Sequence, residues 1–349
     1  MKTAVFYGGP DIRLEDRAEP TPGRDEVLVR IRAAGICGSD LRHYRRQVPN
    51  AAYPFTAGHE LSGDVVATGP GVTHLQPGTR VGIEPLHLLG CGQCPQCRSG
   101  ASHICPGRGQ RNGQAAHSSG FSEYDIVPAS NAYPLPDTIS YEAAALLDVY
   151  AVAVHGVHRV PVRPLDTVVV IGTGAVGLSQ GQVARTLGAR HVILVGRRAQ
   201  PLALGLDIGA ADDVVDSTRA DPVQTVLEMT DGRGAGVVFE TSGTVSGIQL
   251  GHDLVGFGGR VGISGLYPAP AVLDTTPLMR KEVSLIWINS YSTWDGVPEY
   301  QIALELLASG RIDADRLVSH RIPLANVKQG FALADDKSSS AAVKVMIVP

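Results

Sequence analysis

No stretch of this 349-residue chain approaches the roughly 18 consecutive apolar residues of a membrane-spanning helix, and the opening MKTAVFYGGP lacks the apolar core of a secretion signal. These two absences lead us to expect a soluble, cytoplasmic protein with no membrane partner. An excess of charge is missing too: 34 acidic against 30 basic residues leave a net −4, which argues against a general nucleic-acid or anionic-membrane surface. Internal repeats are absent, and low-complexity sequence is confined to the DDKSSS turn. The five cysteines are odd in number and four crowd between positions 91 and 105, so no disulfide framework is expected.

What is there is an ordinary globular composition, 44% hydrophobic and 18% charged, at a length that allows two domains with separate cores. The most informative stretch is Val168–Gly177, VVVIGTGAVG. Three valines and an isoleucine give a buried strand of the parallel-sheet kind, which runs into Gly172, Gly174 and Gly177 in a G-x-G-x-x-G spacing and then a helix opened by Ala175 and Val176. Such a turn brings a pyrophosphate to a helix N-terminus and predicts a dinucleotide site. The next strand, His191–Val195, ends about 20 residues past the last glycine, where an acid would bond the 2′-hydroxyl of NAD. Gly196, Arg197 and Arg198 stand there instead. Two guanidiniums and no carboxylate suit a 2′-phosphate, so NADP(H) is favoured over NAD(H).

From Pro164 to about Ile288 strands and helices alternate, which predicts an α/β, doubly wound parallel sheet of the Rossmann type. The region before it is different. Short alternating segments around Ala4–Tyr7 and Val27–Ala33 predict a β-rich domain, and the terminal VKVMIVP reads as a strand that returns to complete it. Tyr141–Val160 reads as an apolar helix, with His155 and His158 as packing residues. Pro298–Ser309 reads as an amphipathic helix.

Within the β-rich part, AGICGSD carries Cys37, Ser39 and Asp40, and AGHELSGD follows with His59 and Glu60. Thiol, imidazole and carboxylate are ligand types that suit zinc, and a catalytic zinc keeps one position open. Cys91, Cys94, Cys97 and Cys105 form a C-x2-C-x2-C-x7-C pattern that can close a tetrahedron around a second, structural zinc. A nucleic-acid finger is not expected, because the segment lacks a basic helix and interleaved aromatics. The polar, glycine-rich loop 106–117 is expected to line a substrate cleft. Asp148 sits in the apolar string LLDVYAVAVHG, where it either caps a helix or coordinates something.

On AGICGSD, on GHE with Gly63 and Gly69, on the four-cysteine lobe, on SGFSEY and on GTGAVG, the chain resembles the zinc-containing medium-chain dehydrogenase/reductase family over its whole length, within the sorbitol (polyol) and threonine dehydrogenase branch. The resemblance implies a β-rich, GroES-like catalytic domain at 1–150 and 290–349, with a structural zinc lobe at about 85–107, and a Rossmann domain at 151–289. It implies a catalytic zinc at Cys37, His59 and Glu60, with Asp148 at the place of a family glutamate and one methylene shorter, as a direct or water-bridged ligand. Asp40 would orient His59. A proton relay would begin at Ser39. Arg42 stands where the family often has a histidine, so either His43 substitutes or the proton leaves from Ser39 through water and the ribose.

Thr241–Gly243, with Ser242, and Ser264–Leu266, with Ser264 and Leu266, end strands on the nicotinamide side. The segment between Asp40 and Gly58 is shorter than in polyol dehydrogenases, and Tyr44 and Arg45 either meet the substrate or lie on the surface. The implied activity is hydride transfer between NADP(H) and a polyol, sugar or other secondary alcohol. The alternatives are an L-threonine 3-dehydrogenase-like enzyme or a non-catalytic NADPH-binding relative. The expected partners are a small alcohol or carbonyl substrate and further copies of the chain, as a homodimer or homotetramer, with no nucleic acid.

Overall fold

The computed structural model describes residues 1–85, 90–107 and 119–349. The chain forms two compact units. The first comprises Met1–Asp148, Ala303–Ala308 and Asp313–Pro349, and the second Val149–Ile302 and Ser309–Ile312.

The second unit is built on a six-stranded parallel sheet whose spatial order is Asp213–Asp216, His191–Gly196, Thr167–Ile171, Ala235–Glu240, Val255–Ile263, Ser284–Trp287. A parallel sheet is covered on both faces, and its strands are correspondingly apolar on both: Val168, Val169 and Val170 are fully buried, as are Val192, Ile193 and Leu194. Helices Ala175–Thr186, Ala199–Asp207, Pro222–Met229 and Val245–Leu254 join the strands. Two start on strong caps: Asp221 accepts hydrogen bonds from the Val223 and Gln224 N–H groups, and Thr244 from Gly247 N–H. The order reverses at Thr167–Ile171. In such sheets the ligand crevice lies beyond the carboxyl ends of the strands at that reversal.

The first unit is β-rich. Its seven-stranded sheet runs Val318–Pro323, Lys344–Val348, Glu26–Gly35, Glu60–Thr68, Arg80–Ile83, Ala132–Pro134, with Tyr124–Pro128 also paired to Glu26–Gly35. Ile12–Asp16, Lys2–Phe6 and Phe55–Thr56 make a second sheet. The terminal strand does return, pairing Met346 with Gly35 and Ile347 with Ala34. Phe6, Phe121 and Phe331 meet in the core, Phe331 lying 5.2 Å from Phe6 and 5.5 Å from Phe121 between ring centroids.

One expected element divides. The apolar run 141–160 forms two helices, Tyr141–Ala145, capped by Ser140, and Leu147–Arg159. The break at Leu146 makes Asp148 a first-turn residue of the second helix. Alanine and leucine favour helix on both sides of it, so nothing in local propensity marks the break. No helix among the described residues is long and apolar enough to cross a membrane. Residues 108–117 of the loop expected to line a cleft lie outside the described residues.

Candidate active site and cofactor crevice

Strand Glu26–Gly35 delivers Cys37 to the N-cap of the helix Gly38–Tyr44, in an extended conformation. Asp40, buried in the first turn, accepts a 2.9 Å hydrogen bond from Cys37 N–H, and its other oxygen lies 3.7 Å from His59 Nδ1. One carboxylate thus ties the thiol's backbone to the imidazole. Ser39 Oγ lies 3.5 Å from the opposite ring nitrogen, His59 Nε2. Glu60 begins the strand beside Gly35, and its ligand atoms, those of Cys37 and those of His59 lie within 4.8 Å of one another.

The electrostatics of this cluster favour a cation. Burial depresses the pKa of His59, but Asp40 and Cys37 outweigh burial and push it well above the usual imidazole range. Burial raises the pKa of Asp40 against the opposing pull of His59. The group offers a cation a thiol, an imidazole and carboxylates, a donor set that fits zinc. Asp148 is 9% exposed and stands outside the three-residue group, yet its charge acts on His59, Lys344 and Glu84.

Lys344 was not singled out from the sequence. Its Nζ lies 2.8 and 2.5 Å from the two oxygens of Glu60, and it also donates to Ile36 C=O at 3.3 Å. The available signal was one charged residue inside the apolar strand VKVMIV. Glu84 was missed as well. It accepts a 2.6 Å hydrogen bond from Asn131, and burial first, then the charge of Asp148, push its pKa up to about 7. His43 packs edge-on to Phe55 at 4.8 Å and lies 3.4 Å from Tyr53 Oη. Tyr44 packs on Phe331 and Arg45 pairs with Asp335, which accounts for both as framework residues.

The four cysteines of the lobe come together with their sulfurs within 4.8 Å of one another. Cys91 and Cys97 are 4.0 Å apart and Cys94 and Cys105 3.7 Å, near the edge of about 3.8 Å that four 2.3 Å zinc–sulfur bonds give a tetrahedron. The Gln93 and Cys94 N–H groups pull the Cys91 thiol down to about 6, whereas burial pushes Cys97 up to about 12. The spacing of the four sulfurs fits zinc.

In the second unit, Gly172 has φ +111°, and a Cβ there would meet Thr241 Oγ1 at 2.7 Å. A Cβ on Gly177 would lie 1.9 Å from Gly172 C=O, so strand and helix approach as only glycine permits. Gly174 faces open space and caps the helix Ala175–Thr186 without a side-chain hydrogen bond. The first N–H groups of that helix therefore have no side-chain cap, and such N–H groups at a helix N-terminus are the donors that bind phosphate. Arg198 caps the next helix, is half-buried, and donates to Thr173 C=O at 3.4 Å, while Arg197 is exposed. Asp216, opposite Gly196 in the sheet, turns its carboxylate to Thr218. Ser242 and Ser264 lie just past the ends of adjacent strands, and Gly243 packs on the backbone of Leu266, which brings the expected nicotinamide-side residues together.

A third group, His155, His158 and Glu299, also gathers donor atoms. The imidazole Nδ1 atoms lie 2.8 Å (His155) and 2.6 Å (His158) from Glu299 oxygens, and Ser292 N–H donates to the same carboxylate. These are hydrogen-bond lengths, shorter than the ~3.3 Å that separates ligands on 2.0–2.1 Å bonds to zinc. His158 further stacks on Trp294 at 4.7 Å. The cluster clips the hairpin around Trp294 to the helix Leu147–Arg159.

Residues 23–137 match the alcohol dehydrogenase GroES-like domain and residues 175–309 the zinc-binding dehydrogenase domain. The sorbitol dehydrogenase of Halalkalibacterium halodurans is 32% identical over 346 residues, covering 98% of this chain and 97% of that one. The D-arabitol-phosphate dehydrogenase of Enterococcus avium is 33% identical over 340 residues, covering 95% and 92%. A solved structure from Sinorhizobium meliloti 1021, bound to NADP, superposes with a TM-score of 0.89 at 29% identity, covering 100% and 99%.

Proposed function

The chain belongs to the zinc-containing medium-chain dehydrogenase/reductase family, in its polyol and threonine dehydrogenase branch, and from that premise we propose that it transfers a hydride between NADP(H) and a polyol, sugar or related secondary alcohol. The observation that carries this reading is the convergence of Cys37, His59 and Glu60 in a cluster where Asp40 holds one face of the imidazole and Ser39 the other. When bound, zinc would supply Lewis acidity toward an alcohol or carbonyl oxygen, and the cofactor would supply the hydride acceptor or donor.

The chain's own residues do the rest. Cys37 and His59 would hold the metal, with Asp40, 3.7 Å from Nδ1, orienting the imidazole. Glu60, with both oxygens on Lys344, contributes to the field of the site with its charge already balanced. Asp148 adds a carboxylate to that field. Ser39, beside His59 Nε2, exchanges the hydroxyl proton of the substrate. Cys91, Cys94, Cys97 and Cys105 would hold the structural zinc.

The cofactor arm rests on the glycine turn and on the arginines. Gly172, Gly174 and Gly177 with Ala175 and Val176 receive the pyrophosphate. Arg198, backed by Arg197, receives the 2′-phosphate where an NAD site would carry an acid. The Sinorhizobium neighbour's NADP supports a dinucleotide at this turn. The outer strand Ser284–Trp287 pairs on one side only among the described strands and exposes Trp287 at 62%, which supports edge-to-edge pairing with a second copy. We place the enzyme in the cytoplasm.

Cys37→Ser tests the catalytic centre. Turnover should be lost while NADPH binding, measured by fluorescence titration, stays within about twofold of the unaltered protein. A variant that keeps most of its activity would remove Cys37 from the site.

A further inference from the structure

Glu240 is fully buried at the carboxyl end of the strand Ala235–Glu240, in the middle of the ligand-facing edge of the parallel sheet. A buried carboxylate in that position needs a dense set of donors, and it has them. One oxygen accepts from Ser242 N–H at 2.7 Å, Gly243 N–H at 3.1 Å and the Ser242 hydroxyl. The other accepts from the Tyr267 hydroxyl. The backbone C=O of Glu240 takes Ser264 N–H at 3.0 Å, Gly265 N–H at 3.2 Å and the Ser264 hydroxyl at 3.2 Å.

These donors belong to two different loops. Residues 241–244 follow the strand Ala235–Glu240, and residues 264–267 follow its neighbour Val255–Ile263. The carboxylate is the joint between them. The surrounding glycines make room for it: a Cβ on Gly265 would lie 2.4 Å from one Glu240 oxygen, and a Cβ on Gly247 2.6 Å from the other. On its far side the first loop rests against the glycine turn, where Thr241 donates to Ile171 C=O through both N–H and hydroxyl at 2.9 Å.

The two mononucleotide halves of a dinucleotide lie on either side of the point where the strand order reverses. Arg197 and Arg198 end the strand on one side of that point; Glu240 and the loops it joins end the two strands on the other. We infer that Glu240, acting through Tyr267 and the 242–243 backbone, is a positioning residue that sets the spacing of the two loops on which the nicotinamide half of the cofactor rests. The inference builds on the NADP(H) reading above. Glu240 itself touches no reacting atom; its acceptors fix where the Gly243 and Leu266 backbones stand, which pack within a Cβ's reach of one another.

Two ligands that differ only in the nicotinamide half read this out. NADPH and 2′-phospho-ADP-ribose are titrated against the unaltered enzyme, Tyr267→Phe and Glu240→Gln. NADPH should weaken about fivefold in Tyr267→Phe and about tenfold in Glu240→Gln, while 2′-phospho-ADP-ribose changes by less than about twofold in either. Retained binding of the shorter ligand also shows that each variant is folded. Equal weakening of both ligands, or unchanged NADPH binding in both variants, would overturn the inference. An unaltered enzyme that binds neither ligand would overturn the dinucleotide reading itself, and the role of Glu240 with it.

Discussion

Lys344 Nζ stands 2.8 and 2.5 Å from the two oxygens of Glu60, in a pair whose side chains are only 5% and 1% exposed. The two residues come from strands that flank Glu26–Gly35 on opposite sides, so the ion pair passes behind the end of the strand that delivers Cys37. Burial lowers the pKa of Lys344, but Glu60 and Cys37 raise it further and keep the ammonium charged. Glu60 is thereby balanced by a fixed cation as well as facing the metal cluster.

Lys344→Met should leave a buried carboxylate uncompensated and lower the unfolding free energy by about 3–5 kcal/mol. The double variant Lys344→Met with Glu60→Gln should recover most of that loss, because no charge then remains stranded. Urea denaturation of the three proteins measures both. A single variant as stable as the unaltered chain would show that Glu60 has another partner for its charge.

The arginines after the second strand are unequal in the structure. Arg198 is half-buried against Thr173 C=O, and burial lowers its pKa, whereas Arg197 is exposed. Arg198→Ala should weaken NADPH about tenfold or more while changing NADH by less than about twofold, on the scale of one charge-assisted hydrogen-bonded contact. Arg197→Ala should have the smaller effect. Equal losses for the two cofactors would detach this turn from 2′-phosphate recognition.

Glu84 gives the protein a pH dependence of definite sign. Its folded pKa of about 7 lies above the ordinary 4.5, so between those values the folded chain keeps a proton that the unfolded chain has released. Stability contributed by that proton is complete below pH 4.5 and is lost as pH rises toward 7. Glu84→Gln keeps an acceptor for Asn131 and removes the titration. The variant should exceed the unaltered protein in stability by on the order of 2 kcal/mol at pH 8, with the difference shrinking steadily toward pH 5. A difference independent of pH would contradict this.

The parts of the molecule that were legible in the sequence are those whose chemistry is written locally. Gly172, Gly174 and Gly177 show their spacing within one turn, the four cysteines lie within one lobe, and the alternation of apolar strands with helices gives the parallel sheet before any contact is known. Cys37 and His59 were readable because each sits in its own motif. What was not readable depends on pairing across the chain. Lys344 reaches Glu60 over 284 residues and Glu84 meets Asn131 over 47, with no periodicity linking the members of either pair. The histidines at 155 and 158 read as packing residues because the acid that binds them, Glu299, follows in sequence only after the whole parallel sheet.

The account is tested most directly by the initial rate of NADP reduction, followed by absorbance with zinc-loaded protein, across a panel of polyols, polyol phosphates, sugars, simple secondary alcohols and threonine, with NAD in parallel. It predicts turnover of a polyol or sugar-derived secondary alcohol, a higher kcat/KM with NADP than with NAD, and loss of the rate when zinc is removed. Turnover that prefers NAD, or a rate that survives complete removal of zinc, would contradict it.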